Sequence, residues 1–373
     1  MAKSKKQDIP KVLNNNNLAF AALNPYLESN IVSAKEEEIR GKDFISWGNN
    51  NQYSNYLFEL YSSCATLQSI INGTTDFVVG NDAKCYVVGF DNKMNKKGET
   101  LEDILGRIAT DYLIYGSFSL QILRDIQGRI SEIYWIDVSK LRSDKKNEVF
   151  YYSEDWDKSY GRVKYLTYPK FNPNDVNNAS SIYYYKNPQS RGVYGLPVWN
   201  AAITSCETER KISNFHLNEI SNNFLTSKIV NFNGGIPDDE LKNEIERNIN
   251  EKFSGSENGG RVMLSFNQSK ENETTVIDLG TDDFDERYTN LAKTTKETIF
   301  TAFRAIPQLF GLMSESTGFN TQEFNESFKL YNRTSVKPIQ KAISRAFDYI
   351  FGVDGAITIE PFSLEESVEE VVE

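Results

Sequence analysis

The 373-residue chain has a single histidine, His216, and three cysteines, Cys64, Cys85 and Cys206, with no C-x-x-C pair. One histidine without a cysteine cluster argues against a zinc site. An odd, scattered set of cysteines points to a reducing compartment without a disulfide framework. Positive charge is also scarce: 41 Lys and Arg stand against 52 Asp and Glu, a formal net charge of -11. A protein that grips DNA phosphates carries a basic surplus, so sequence-specific DNA binding is not expected. An acidic body still lets DNA pass, because repulsion discourages sticking. No run approaches the roughly 18 apolar residues of a membrane span. The polar start, Met1 to Lys11, followed by Asn14 to Asn17, lacks the apolar core of a signal peptide.

Catalytic signatures are missing too. No G-x-x-x-x-G-K-[ST], G-x-G-x-x-G or G-x-S-x-G occurs. Gly255 to Arg261 is Gly-rich but lacks the Lys and Ser/Thr that hold phosphate and magnesium, and reads as a loop. His216 with Glu219 one turn on reads as a surface histidine on a polar helix. Asp282, Asp283, Asp285 and Glu286 could serve a metal-dependent nuclease. Their place at a helix start fits complementation of the helix dipole better. No catalytic residue, metal or cofactor is therefore expected, and a metal-dependent DNA-processing enzyme is the alternative from another class.

What is present is a mixed pattern. Residues 1–50 read as a loosely structured arm. Leu57, Leu60, Leu67, Ile70 and Ile71 predict a helix from Tyr53 to about Asn72, ended by Gly73. A strand is expected from Cys85 to Phe90. Ile104, Leu105, Ile108, Tyr112 and Leu113 predict a second helix, from Leu101 to Gly116. A hairpin, Ser117–Asp125 and Arg129–Val138, follows around Gln127-Gly128. Strands are expected at Val149–Ser153, Val163–Tyr168 and Ile182–Lys186. Pro197 suits the first turn of a long polar helix reaching Asn223.

Residues 224–279 read as a small βαββ module, in which Arg261–Phe266 and Thr274–Leu279 pair. A second long helix runs from Asp282 to Ala305, with a narrow apolar stripe of Phe284, Tyr288, Leu291, Ile299 and Phe303. A last helix from Gln322 to Phe351 is expected to kink at Pro338. A strand, Ala356–Phe362, and an acidic tail close the chain. Along the last helix Lys329, Arg333, Lys337, Lys341 and Arg345 recur every fourth residue, a ridge that drifts by about 40° per step. Two readings stay open: solvated charges pairing with Glu323, Glu326 and Asp348, or a positive ladder facing a polyanion.

The order of these parts resembles the compact portal proteins of tailed bacteriophages, the head-to-tail connectors. Asp111 to Leu120 through Asp125, then Gly128 to Val138, is similar to their helix-then-hairpin segment. Gly192-Val-Tyr-Gly-Leu-Pro-Val-Trp199 resembles the loop before their first stem helix, and Asn258-Gly259-Gly260 their clip stretch. Asp283-Phe284, Glu286-Arg287, Ile299, Phe303, Ile306-Pro307 and Leu309-Phe310-Gly311 resemble the second stem helix and its closing loop. Asn320 and Phe328 to Pro338 are similar to the start of the tunnel helix. Ile306-Pro307-Gln308 departs from the more usual Val-Pro-Pro, and the short ending implies a reduced crown.

The resemblance implies an α+β portal-like fold in eight parts. These are an arm (1–50), a mixed α+β wing (51–195), a first stem helix (196–223), a clip (224–279), a second stem helix (280–305), a tunnel loop (306–321), a long kinked tunnel helix (322–351) and a strand with acidic tail (352–373). It implies a homo-oligomeric ring of twelve at one capsid vertex of the virion, assembled in the host cytoplasm. Double-stranded DNA would pass non-specifically along Ser314, Glu315, Ser316, Thr317, Asn320, Lys329, Arg333 and Lys337. Large terminase and a head-completion adaptor would dock on Asp238, Asp239, Glu240, Glu257 and Asn258. Major capsid and scaffolding proteins are further partners, and another capsid-associated ring adaptor, one that does not bind terminase, stands as the further alternative. Phe284, Tyr288, Leu291, Ile299 and Phe303 would pack between subunits, since a closed ring buries a stripe that one chain leaves bare.

Overall fold

The computed structural model describes residues 32–39, 41–91, 93–156, 163–221, 228–233, 237–238, 240–242, 244–245, 262–266, 284–312 and 321–362. In chain order the elements are β1 (Glu37–Glu38), β2 (Ile45–Ser46), α1 (Tyr53–Ser63), α2 (Ala65–Val79), β3 (Asp82–Cys85), α3 (Leu101–Tyr115), β4 (Ser117–Arg124) and β5 (Ile130–Trp135). Next come β6 (Leu141–Ser143), β7 (Val149–Tyr152), β8 (Leu166–Pro169), β9 (Ser180–Lys186), α4 (Ile203–Ser221), β10 (Lys228–Phe232) and β11 (Val262–Phe266). The last are α5 (Phe284–Phe303), α6 (Thr321–Tyr331), α7 (Lys337–Phe351) and β12 (Ile357–Glu360). The chain divides into two compact units, one of Met1–Ser29 with Lys211–Tyr288, the other of Asn30–Arg210 with Thr289–Glu373.

In the larger unit the expected first helix is two. Cys64 adopts an extended backbone between α1 and α2 and offers no side-chain cap. The orphaned N-terminus of α2 is satisfied from outside: Glu209 on α4 accepts from the Thr66 amide and hydroxyl, both at 3.1 Å. Gly73 does not end the helix; α2 continues to Val79 and stops at Gly80. The role of Gly73 is close approach, because a Cβ there would lie 3.0 Å from the Phe310 ring. Helix α3 begins as the sequence predicts, with a Thr100–Asp103 capping box, and ends on left-handed Gly116.

Three antiparallel strands in the order β5-β4-β9 form one sheet, and β6-β7-β8 a second. Strand β3 lies at 82–85, ahead of its expected place, because β12 pairs with it antiparallel, Ile357 opposite Cys85. Pro197 stays in a turn whose carbonyl accepts from Asn200, and α4 starts only at Ile203. The loop before it is fixed by contact between backbones. A Cβ on Gly195 would meet the Gly116 carbonyl at 2.6 Å, and Trp199 is fully buried with Nε1 donating to the Leu113 carbonyl at 2.9 Å.

Within the expected arm, residues 32–39 and 41–50 are held in place by side-chain and backbone contacts rather than loose. Glu36 accepts from the Val193 amide at 2.7 Å and the Tyr194 amide at 2.9 Å. Trp47 stacks on Tyr194, centroids 4.6 Å apart. Arg142, wholly buried, donates to the side chain and carbonyl of Asn51 and to the carbonyls of Ser139 and Leu141. Trp47 and Trp156 flank its guanidinium. Burial lowers its pKa to about 10, so it stays a cation at neutral pH, satisfied by carbonyls and ring faces rather than by a carboxylate.

In the smaller unit β10 and β11 pair in parallel, Lys228 opposite Val262. This is a pairing that the expected partnership of Arg261–Phe266 with a later strand did not include. The intervening segment is helical at 240–242 and 244–245, and parallel neighbours require such a crossover. Thr274–Leu279 lies outside the described residues.

Candidate nucleic-acid interface

A regularly spaced row of positive charge sits on the C-terminal helices, which form one rod interrupted by a π-helical turn. Pro338 has no amide hydrogen and its ring would strike the carbonyl four residues back. A π-helical turn over Asn332–Val336 joins α6 to α7 immediately before it. Tyr331 and Val336 are buried, and the Tyr331 hydroxyl lies 2.6 Å from that of Thr74. Ile339, Ile343, Ala346, Phe347 and Ile350 form the buried face of α7, and Gln340 donates to the Val78 carbonyl at 3.0 Å, at the end of α2.

The π turn changes what the four-residue repeat does. In a plain α-helix the basic row winds around the rod. A π turn takes more residues per circle, so four residues fall short of a full turn and the drift is partly taken back. Lys329, Arg333, Lys337, Lys341 and Arg345 are all exposed, spread over roughly 24 Å of helix axis. Among the described residues only Lys329 has a carboxylate partner, Glu326 at 2.9 Å. Asp348 is occupied elsewhere, accepting from the Ala356 amide at 2.9 Å.

The other expected site residues fare differently. Ser314, Glu315, Ser316, Thr317 and Asn320 lie outside the described residues, as do Asp239, Glu257 and Asn258. Asp238 is exposed and accepts from the Leu241 amide at 2.9 Å, a capping role, and Glu240 is exposed. The apolar stripe of α5 splits. Ile299 and Phe303 are 0% and 5% exposed within the chain itself, so their burial needs no neighbouring copy, and Phe300 and Thr295 join them. Leu291 is 47% exposed. Tyr288 packs on Phe215 and His216, centroids 5.4 and 5.2 Å away. The backbone of Phe284 is helical; its side chain is outside the described set.

The nuclease alternative gains nothing. Asp282 and Asp283 lie outside the described residues, and among those described no three His, Cys, Asp or Glu converge as a metal site would need. A cleft of about 550 Å³ is lined by Glu36, Trp47, Tyr53, Arg191 and Tyr194, but the Glu36 carboxylate is spent on two backbone amides. Nothing in the local pattern marks Glu36, Arg142 or Glu209 as organisers, because Val193 and Tyr194 for Glu36, Asn51 for Arg142 and Thr66 for Glu209 are distant in the chain. The exposure of the whole ladder had one available signal, the proline that the π turn accommodates.

A family model described as phage portal protein matches residues 94–362. Among solved structures, the virion of a native gene transfer agent particle holds a chain 15% identical, with a TM-score of 0.52 over 85% of this chain and 84% of its own. The neck of an empty gene transfer agent particle, computed with C6 symmetry, holds one 16% identical, TM-score 0.52, over 84% and 85%. A crystal structure of an HK97 family phage portal protein from Corynebacterium diphtheriae is 11% identical, TM-score 0.49, over 78% and 88%. No curated protein matches. The structural likeness to the two particle chains is one of fold, the mixed α+β portal architecture, whereas the family model covers well over half of the sequence. The chain therefore belongs to the phage portal protein family.

Proposed function

We propose that this portal-family chain is one subunit of a closed ring at a capsid vertex, a passive conduit for DNA entering and leaving the head. The observation that carries the reading is the exposed ladder of Lys329, Arg333, Lys337, Lys341 and Arg345 on a chain of net charge -11. Cations of this kind hold a polyanion loosely and without sequence preference, and the acidic remainder keeps it from sticking. Exposed Leu291, Phe215 and Leu217 on the two long helices offer apolar surface that a neighbouring copy would cover. The segment around Asp238 and Glu240 is the proposed docking site for terminase and then for a head-completion protein. Capsid and scaffolding proteins complete the partners, with assembly in the host cytoplasm before the virion leaves. Electron microscopy of the purified protein tests the core of this reading: rings of about twelve copies with an open central hole are expected, and a monodisperse monomer at high concentration would sink it.

A further inference from the structure

The three cysteines are all free and buried, but two of them meet. Cys64 occupies the extended break between α1 and α2. Its amide donates to the Leu60 carbonyl at 2.9 Å and its carbonyl accepts from the Gln68 amide at 3.0 Å, so both helices hold its backbone. Cys206 lies on α4, three and four residues before Glu209 and Arg210, so these side chains share one face of that helix. The same face clasps the break on both sides of Cys64. Glu209 accepts from the Thr66 amide and hydroxyl at 3.1 Å, and Arg210 donates to Glu59 on α1. Within this clasp the Cys64 and Cys206 thiols are hydrogen-bonding partners, 1% and 0% exposed. Ser63 and Ala65, which flank Cys64, are exposed, so its sulfur lies one side chain below the surface. Cys85 stands apart on β3, opposite Ile357.

We propose that Cys64 and Cys206 are an oxidation site, a dithiol that a small peroxide converts to a disulfide stapling the root of α4 to the junction of α1 and α2. In the first step the Cys64 sulfur, as thiolate, attacks one oxygen of hydrogen peroxide. The O–O bond breaks, leaving a sulfenic acid and, with the proton, one water. The Cys206 sulfur then attacks the Cys64 sulfur, the S–S bond forms, and the hydroxyl leaves with the Cys206 proton as a second water. Two thiols have lost two electrons and two protons, and one peroxide has become two waters. The Cys64 thiol, and then burial, push the Cys206 thiol well above its ordinary value, which leaves the first attack to Cys64. Burial also makes the reaction slow and restricts it to small oxidants. The staple closes a loop of roughly 140 residues, a large loss of freedom for the unfolded chain. The site stands on these residues alone. Its timing, open during assembly in a reducing host and closed in the released virion, rests on the conduit reading.

The full chain, reduced and then freed of reductant, is treated with hydrogen peroxide. Remaining thiols are blocked with iodoacetamide in denaturant, and peptides are mapped by mass spectrometry without reduction. Expected is one linked species that joins the Cys64 and Cys206 peptides within a single copy, with Cys85 alkylated. Thermal unfolding of the oxidised protein should rise by about 5 °C and fall back with dithiothreitol. Cys206→Ala should abolish the link and the rise, and Cys85→Ala should keep both. Sulfinic acid at Cys64 without a link, a link that uses Cys85 or joins two copies, or a Cys64–Cys206 link without a thermal rise would overturn the proposal. The mapping needs no variant, so a substitution that fails to fold leaves the test intact. Monomers in the microscope would remove the conduit reading and the timing while leaving the linked peptides untouched.

Discussion

The mixed layer built from residues 32–210 and the C-terminal rod of α6 and α7 treat charge in opposite ways. The mixed layer takes charges inside and saturates them. Arg142 is ringed by carbonyls and indoles. Glu207 is held by Arg210 at 2.8 Å, which also reaches Glu59. Glu132 takes the Lys96 amide, the Lys96 ammonium and the Tyr134 hydroxyl. The rod buries only apolar faces and aromatic hydroxyls and leaves its cations in water. A buried charge is tolerable only when its hydrogen-bonding capacity is filled, so the first set is committed to the fold. The second set is left over, and left-over charge is what a passing polyanion can use.

The sharpest way to break this contrast is to remove an interior cation. Arg142→Ala should cost about 3–5 kcal/mol, since it orphans several buried acceptors and opens a cavity between two tryptophans; urea unfolding measures it. A loss under 1 kcal/mol would mean that the layer is not built around this residue. The two parts of α5 give the next test. Ile299→Ala should lose about 2–4 kcal/mol of chain stability. Leu291→Ala should change it by less than about 0.5 kcal/mol while weakening ring assembly in sedimentation. Equal destabilisation by both would erase the division between core and contact surface.

Asp111 offers a subtler test of saturation. It is buried, with Oδ2 accepting from Trp135 Nε1 at 2.9 Å and the Val138 amide at 3.3 Å. Burial, and then the nearby charge of Asp137, push its pKa well above the usual carboxylate value. The folded state therefore holds the proton more tightly than the unfolded one. Its contribution is greatest below the unfolded value near 3.8 and is lost as pH rises toward the folded value. Asp111→Asn keeps an acceptor without the charge. It should gain stability over wild type as pH rises from 4 to 8; a gap independent of pH would contradict this. The smallest effects on folding belong to the ladder. Lys329→Gln, Arg333→Gln and Lys337→Gln should each shift stability by less than about 0.5 kcal/mol. Each should also reduce the salt dependence of DNA binding by about one counterion.

Much of the chain was legible before folding was considered. The Leu101 helix, the hairpin around Gln127-Gly128 and the amphipathic rod were written in local periodicity, and Gly116 in the need for a left-handed cap. The failures share a cause. The break at Cys64 depends on Glu209, 145 positions away, completing the start of α2. Gly73 looked like a stop because nothing local reveals Phe310. The arm looked loose because its anchors, Tyr194 and Arg142, lie far along the chain. Of the candidate site, the ladder was visible as a repeat, but its repeat alone predicted a winding ridge.

By itself the sequence determined that the Leu101 segment and the C-terminal rod are helical, which strands form the hairpin, that charge is net negative and that five cations recur every fourth residue. These follow from propensity, periodicity and counting, which act within a few residues. The tertiary structure alone decided that Ile299 and Phe303 belong to the chain's own interior, that β10 pairs in parallel with β11, and that a π turn leaves all five cations exposed. Those outcomes depend on groups brought together from distant positions, where burial and unsatisfied hydrogen bonds set the energy and local pattern carries no information.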